Sequence, residues 1–288
     1  MRTLVIADIH LNFIRAQRVI DSVPHDKLVL TGDYFDAYGA TVTQTENTAI
    51  WLKENILHNP KCVALLGNHD TTYVFNNINL ACSGYSPSYQ EAINKVFNDD
   101  DRAKFAVYHV DQGFAFSHAG LTNQLWKQLS SKFAKNEGET NLAFFDDIMS
   151  LCAKDAIRDA KEGKHVGLFA AGWDRGGFNR DGGINWVDWD NFSPINGVNQ
   201  IVGHSIRRIP QILVQYKGGG YVKQDVTEYY KKNSNKETLS ISYDLDTHLN
   251  HYGVITDGVV DIFHLDTGIN LKDVEQYHIA HSEMNNLM

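Results

Sequence analysis

The chain has 288 residues, 43% of them hydrophobic, and a formal net charge of −9. That length accommodates one large α/β domain or two modest ones, and the apolar share is that of an ordinary globular protein with a buried core. The acidic balance excludes a general nucleic-acid or anionic-membrane binder, because both recruit basic surfaces; it leaves room for a small phosphorylated substrate where metals reverse the local field.

Leu4-Val5-Ile6-Ala7 reads as a short buried strand, followed by a helix over residues 14–23. Leu28-Val29-Leu30 makes a second strand, residues 42–57 a long helix, and Val63-Ala64-Leu65-Leu66 a third strand. Continuous apolar strands alternating with helices predict a sheet buried on both faces, with ligands outside the carboxyl ends of the strands. Asp8, Asp33 and Asn68 fall there. Residues 71–104 are expected to be mainly helical, and residues 105–110 and 114–117 to form a hairpin around Asp111-Gln112-Gly113. Residues 121–164 read as a helical cap or insertion, and the Gly-, Trp-, Asn- and Asp-rich residues 170–199 as a long irregular loop. Trp173, Trp186 and Trp189 in that loop read first as loop core, with substrate stacking the lesser reading. A second group of strands follows Ile201-Val202-Gly203, over residues 211–216, 239–244, 252–256 and 259–265. Lys217-Gly218-Gly219-Gly220 and the Lys-rich run 231–236 are expected to be solvated.

The pattern predicts one domain over residues 1–288, an α/β fold in which a two-sheet β-sandwich is flanked by helices. Helical insertions are expected near 72–104 and 121–165. Three scattered cysteines, Cys62, Cys82 and Cys152, are too few for a disulfide framework. No signal-peptide pattern precedes the first strand and no apolar run approaches ~18 residues, so a cytoplasmic protein without a membrane partner is expected.

Five strand ends carry only Asp, Asn and His: Asp8-Ile9-His10, Gly32-Asp33 with Asp36 in the same loop, Gly67-Asn68-His69-Asp70, Ser117-His118 and Gly203-His204. Taken singly, such an Asp or Asn is ordinarily a helix cap or turn residue. Capping gives no reason to choose His10, His118 and His204 as well. Oxygen and imidazole ligands without thiolates suit Mn, Fe, Zn or Mg. Their number exceeds what one tetrahedral ion takes, so two divalent metal ions sharing a carboxylate is the economical reading.

Asp8-x-His10, Gly32-Asp33-x-x-Asp36, Gly67-Asn68-His69-Asp70, Ser117-His118-Ala119-Gly120 and Gly203-His204-Ser205 together resemble the calcineurin-like metallophosphoesterase family. The His-Ala-Gly and Gly-His-Ser forms resemble its phosphoprotein-phosphatase branch, which includes bacterial and phage enzymes and diadenosine tetraphosphatases. The resemblance covers residue 8 to about residue 208. It implies the four-layer αββα fold and a phosphatase with two metal ions, manganese first. Asp8 and His10 would reach one ion, Asp33 would bridge both, and Asn68, His118 and His204 would complete the second. A metal-bound hydroxide would then attack phosphorus in line. His69 is left free to protonate the leaving group, an effect typically worth about 10²–10⁴ in rate. Asp36 would orient it and raise its pKa, with Asp70 as the fallback partner. Trp173-Asp174-Arg175 resembles a Trp-x-Arg element of bacterial members, which makes Arg175 the first candidate to bind phosphate; Arg207 and Arg208 are the second.

Three departures weigh against protein-phosphatase specificity more than against hydrolysis. Asp36 is followed by Ala37-Tyr38-Gly39 where the branch usually has Asp-Arg-Gly, Leu11 stands where glycine is common, and Asp70 replaces the glutamate common in eukaryotic enzymes. The expected activity is phosphomonoester hydrolysis, on a phosphoprotein, a nucleotide or a small phosphorylated metabolite. The rivals are cleavage of a dinucleoside polyphosphate or nucleic-acid end, and a non-catalytic scaffold that keeps the metal fold for binding.

Overall fold

Leu4, Val5 and Ile6 of β1 (Arg2–Ile6) are fully buried because the strand is covered on both faces. Alternation splits its side chains. Leu4 and Ile6 pack with Leu28, Leu30, Ala16 and Val19 on the helix side. Val5 packs with Val29, Phe116, Ile201 and Val214 in the layer between two sheets. The computed structural model describes residues 1–164, 167–178, 180–232 and 236–285, the last six without their side chains. Part of the expected 231–236 loop therefore lies outside the described residues.

The first sheet has the order β11-β10-β1-β2-β3, with β2 (Lys27–Leu30), β3 (Cys62–Ala64), β10 (His251–Thr256) and β11 (Val259–His264). The second has the order β4-β5-β6-β9-β7-β8. It comprises β4 (His109–Asp111), β5 (Phe114–Phe116), β6 (Asn199–Val202), β7 (Gln211–Tyr216), β8 (Tyr221–Asp225) and β9 (Thr238–Asp244). Helices flank them: α1 (Phe13–Ser22), α2 (Val42–Trp51), α3 (Asn68–Phe75), α4 (Pro87–Val96), α5 (Asp99–Ala103), α6 (Asn123–Ser130), α7 (Asn141–Lys161), α8 (Val226–Lys231) and α9 (Val274–Asn285). The last turns of the 42–57 helix widen into a π-helical segment, Leu52–Leu57. Two mixed sheets flanked by helices bear out the α/β sandwich expected from the sequence. No helix among the described residues is long and apolar enough to cross a membrane.

Strand partners differ from the sequence reading in one respect. The strands at 252–256 and 259–265 do not join the second group; β10 pairs antiparallel with β1, from Arg2 opposite Thr256 to Val5 opposite Gly253. Five consecutive buried residues in β10 mark an interior strand, and a neighbour so distant in sequence leaves no local signal. The edge strand β8, half exposed with weak alternation, was hidden behind the Gly218–Gly220 turn.

This topology makes the site. β1, β2 and β3 are parallel to one another, and so are β5, β6 and β9. Their carboxyl ends meet at one edge, where six strands deliver polar residues to a common basin.

Candidate metal centre and active site

The backbone at the ends of these strands is bent in an unusual way. Asp8 (φ 46°), His10 (φ 39°), Asp33 (φ 56°) and His204 (φ 74°) are all left-handed, a conformation costing roughly 1–2 kcal/mol for each non-glycine residue. Such strain gathers where side chains must be aimed. The glycines beside them are required by contact. A Cβ on Gly203 would stand 1.9 Å from Asp8 Oδ2, and one on Gly67 would stand 2.0 Å from Asp33 Oδ1.

Four atoms converge on one point. His118 Nε2 lies 2.8 Å from Asn68 Oδ1, 3.2 Å from His204 Nδ1 and 3.5 Å from Asp33 Oδ1; His204 Nδ1 lies 3.0 Å from Asn68 Oδ1. His118 Nδ1–H donates to Thr31 O at 2.9 Å, so its Nε2 presents a lone pair. Burial holds both His118 and His204 below the ordinary imidazole pKa, the His118 ring adding to the effect on His204. Lone pairs on Asp33 Oδ1, Asn68 Oδ1 and His118 Nε2 crowd together beside His204 Nδ1, an arrangement that a cation would relieve. For ligands about 2.1 Å from a metal, neighbouring donors are about 3.0–3.4 Å apart, which matches these spacings.

Asp33 faces two ways. Its Oδ1 belongs to that cluster, while Oδ2 lies 3.5 Å from His10 Nε2. His10 Nδ1–H donates to Asp36 O at 2.8 Å, leaving Nε2 free as a ligand. Asp8 accepts the His204 N–H on both oxygens at 3.1 Å and reaches within 3.8 Å of His118. Asp8, Asp33 and His118 form a buried group able to hold a metal ion.

The electrostatics agree. Burial, then the charges of Asp246 and Asp33, push the Asp8 carboxyl well above its usual range. Asp244 and Asp246 are raised chiefly by burial, and Asp244 Oδ2 is buried with no hydrogen-bond partner among the described residues. Asp33 goes the other way. Burial would raise it, but His118, His69, His10 and His204 hold it below the carboxylate range. A basin with this many buried carboxylates is poised to accept cations.

His69 follows Asn68 in the first turn of α3, about 100° further round the helix. Its Nδ1 lies 2.6 Å from Asp36 Oδ1, and Tyr73 OH donates to Asp36 Oδ2 at 3.1 Å. Burial alone would lower the imidazole; the Asp33 charge and the Asp36 hydrogen bond outweigh it and push it up to about 12. Asp70 is not the partner of His69. Its carboxylate accepts the backbone N–H groups of Asp33, Tyr34 and Gly67 at 2.7–2.8 Å, pinning the two ligand loops together.

A cleft of about 320 Å³ opens on this floor, with Arg175, Arg207 and Asp246 among its walls. Arg175 donates Nε and Nη2 to Asp188, and Arg207 donates Nη2 to Asp190 at 2.7 Å. Arg208 is exposed and outside that lining. Sequence reasoning overlooked Asp244 and Asp246, which follow an apolar strand as Asp8 does and carried that same signal. It also overlooked Tyr73, which carried none.

Residues 1–208 match the calcineurin-like phosphoesterase family, and the chain belongs to it. That family is metal-dependent, and the chain is a metal-dependent phosphatase of the hydrolase class, as its motifs led one to expect. Among solved structures it resembles a cold-active protein-tyrosine phosphatase from a psychrophilic Shewanella species, at 14% identity over 93% of this chain and 79% of that one, with a TM-score of 0.51. A metallophosphoesterase from Sphaerobacter thermophilus aligns over 92% of this chain and 88% of its own at 12% identity and a TM-score of 0.42. A Saccharomyces cerevisiae serine/threonine phosphatase aligns over 94% and 83% at 13% identity and a TM-score of 0.41. At such identities the likeness shows the fold alone. No curated protein matches the chain.

Proposed function

We propose that the protein is a binuclear phosphomonoesterase acting on a phosphoprotein or a small phosphorylated metabolite. Asp8, His10 and Asp33 would hold one divalent cation, and Asp33, Asn68, His118 and His204 the other. Manganese heads the choice, with Fe, Zn and Mg also suited to oxygen and imidazole donors. The observation that carries this reading is the convergence of Asp33 Oδ1, Asn68 Oδ1, His118 Nε2 and His204 Nδ1 within 2.8–3.5 Å. Bound divalent cations supply charge neutralisation at phosphoryl oxygens and a water of lowered pKa.

The chain's own groups do the rest. Asp33, with Oδ1 toward His118 and Oδ2 toward His10, would contribute to holding both cations. Asp36 holds the His69 ring through Nδ1, and the ring lines both the cleft and the cavity beside it, where it would give up a proton. Water oxygen bonds to phosphorus, the bond from phosphorus to the ester oxygen breaks, and His69 delivers its proton to that oxygen, releasing an alcohol and inorganic phosphate. The Asp33 charge is the strongest support for the high His69 pKa. Neutralising that carboxylate removes the support and brings the imidazolium toward a range where it gives its proton up. Arg175 keeps Nη1, and Arg207 keeps N–H groups beyond its Asp190 contact, for phosphoryl oxygens.

We read the chain as one metallophosphoesterase domain over 1–288 in a reducing cytoplasm, which its three free thiols support. The test is to strip the protein with chelator, reload it with Mn, and measure metal content together with phosphate release. About two ions per chain and Mn-dependent release are expected. One ion per chain at saturation, or release that ignores Mn, would overturn the binuclear reading.

A further inference from the structure

A second cavity, of about 570 Å³, adjoins the phosphate cleft. Asn68, His69 and Arg175 line both spaces, so the acid stands at their junction. This volume lies within the range of small-molecule sites, about 300–1,000 Å³. Its walls differ from those of the cleft. Phe178, with its side chain 99% exposed, stands at the mouth; Trp186, Ala170, Ala171 and Gly177 line the interior. Among the described residues, no carboxylate and no lysine lines it. Besides the His69 imidazolium it has Arg175, which is paired with Asp188 of the phosphate cleft.

Resting on the acid role given to His69 above, we infer that the alcohol released by this enzyme is flat, uncharged and aromatic, that it departs into this cavity, and that Phe178 and Trp186 select it. A proton passed from His69 goes to the ester oxygen, so the departing group lies next to His69 and away from the cation ligands. The second cavity opens there, with His69 in its lining. Small side chains leave it wide enough for a ring, and two aromatic side chains in its lining favour a ring over an alkyl group. A departing nucleotide, which carries several negative charges, would meet Arg175 already paired with Asp188 and a His69 that has just given up its proton. Dinucleoside polyphosphates are therefore disfavoured.

The full-length, Mn-loaded protein should be assayed with benzyl phosphate, ethyl phosphate and a dinucleoside tetraphosphate. Benzyl and ethyl esters both release an alkoxide, so their ratio of kcat/KM reports the cavity rather than intrinsic leaving ability. Benzyl phosphate is expected to be preferred by about tenfold, and Phe178→Ala to shrink that preference roughly three- to tenfold. Ser83→Trp, from an exposed position on the cavity wall, should shrink it independently by filling the space. A wild-type ratio near one, or a ratio unmoved by both variants, would overturn the inference while leaving the phosphomonoesterase reading intact; faster cleavage of the dinucleotide would overturn both. Failure to hydrolyse any of the three with metals bound would overturn both.

Discussion

The floor of the cleft and its wall are built on different principles. Asp8, Asp33, Asn68 and His118 are between 0% and 3% exposed, and each sits where a buried strand ends. Arg175 and Arg207, with side chains 43% and 30% exposed, are placed instead by ion pairs to Asp188 and Asp190 from one irregular loop. Lys223 fastens that loop by donating to the carbonyls of Trp189 and Asp190, and Ser205 accepts the Trp189 N–H at 2.7 Å. Sheets thus fix the groups that need position to a fraction of an ångström. The loop sets those that meet the variable part of a substrate, and changes in it can retune specificity without disturbing the floor.

If that division holds, floor substitutions should dominate every activity series. Asp33→Asn removes charge from the one carboxylate facing both ligand groups, and kcat should fall by about 10³ or more, with metal content reduced in parallel. His69→Asn should lower kcat by about 10²–10⁴ while metal content stays at the wild-type value. An unchanged rate would remove the acid role from this histidine. Gly203→Ala forces the Asp8 carboxylate away, so Mn affinity should drop at least about tenfold by titration calorimetry. On the wall, Arg175→Ala should cost about 10- to 100-fold in kcat/KM, mostly through KM, from one charge-assisted contact. A floor-sized loss in kcat there would collapse the distinction. Smallest is a stability effect. Each cation site filled at about 100 times its Kd should stabilise the fold by about 2.7 kcal/mol and raise Tm by roughly 4–5 °C by scanning calorimetry.

The same contrast governs what could be read in the sequence. Floor residues were legible because each interrupts an apolar run with a side chain no core would choose, and Asp, Asn and His at five such breaks have no common structural explanation. The partner of His69 was legible too, since Asp36 falls just beyond Asp33; the clamp role of Asp70 was not, because the N–H groups of Asp33 and Tyr34, some 36 positions away, leave no trace in spacing. The return of β10 and β11 to the first sheet was misassigned for a related reason: strand pattern reports burial, not the identity of a neighbour some 250 positions away. In the 170–199 loop Arg175 could be nominated but not its carboxylate partner Asp188, nor Asp190 as the partner of Arg207, since irregular backbone has no period from which to infer facing pairs.

The left-handed turns at positions 8, 10, 33 and 204 limit what this enzyme can become. A valine, isoleucine or threonine cannot enter any of them without severe steric conflict, whatever its chemistry, whereas glycine would enter with relief of strain. Inactive descendants of this lineage that keep the fold are therefore expected to drift toward glycine at these four places and to gain thermal resistance as they lose turnover.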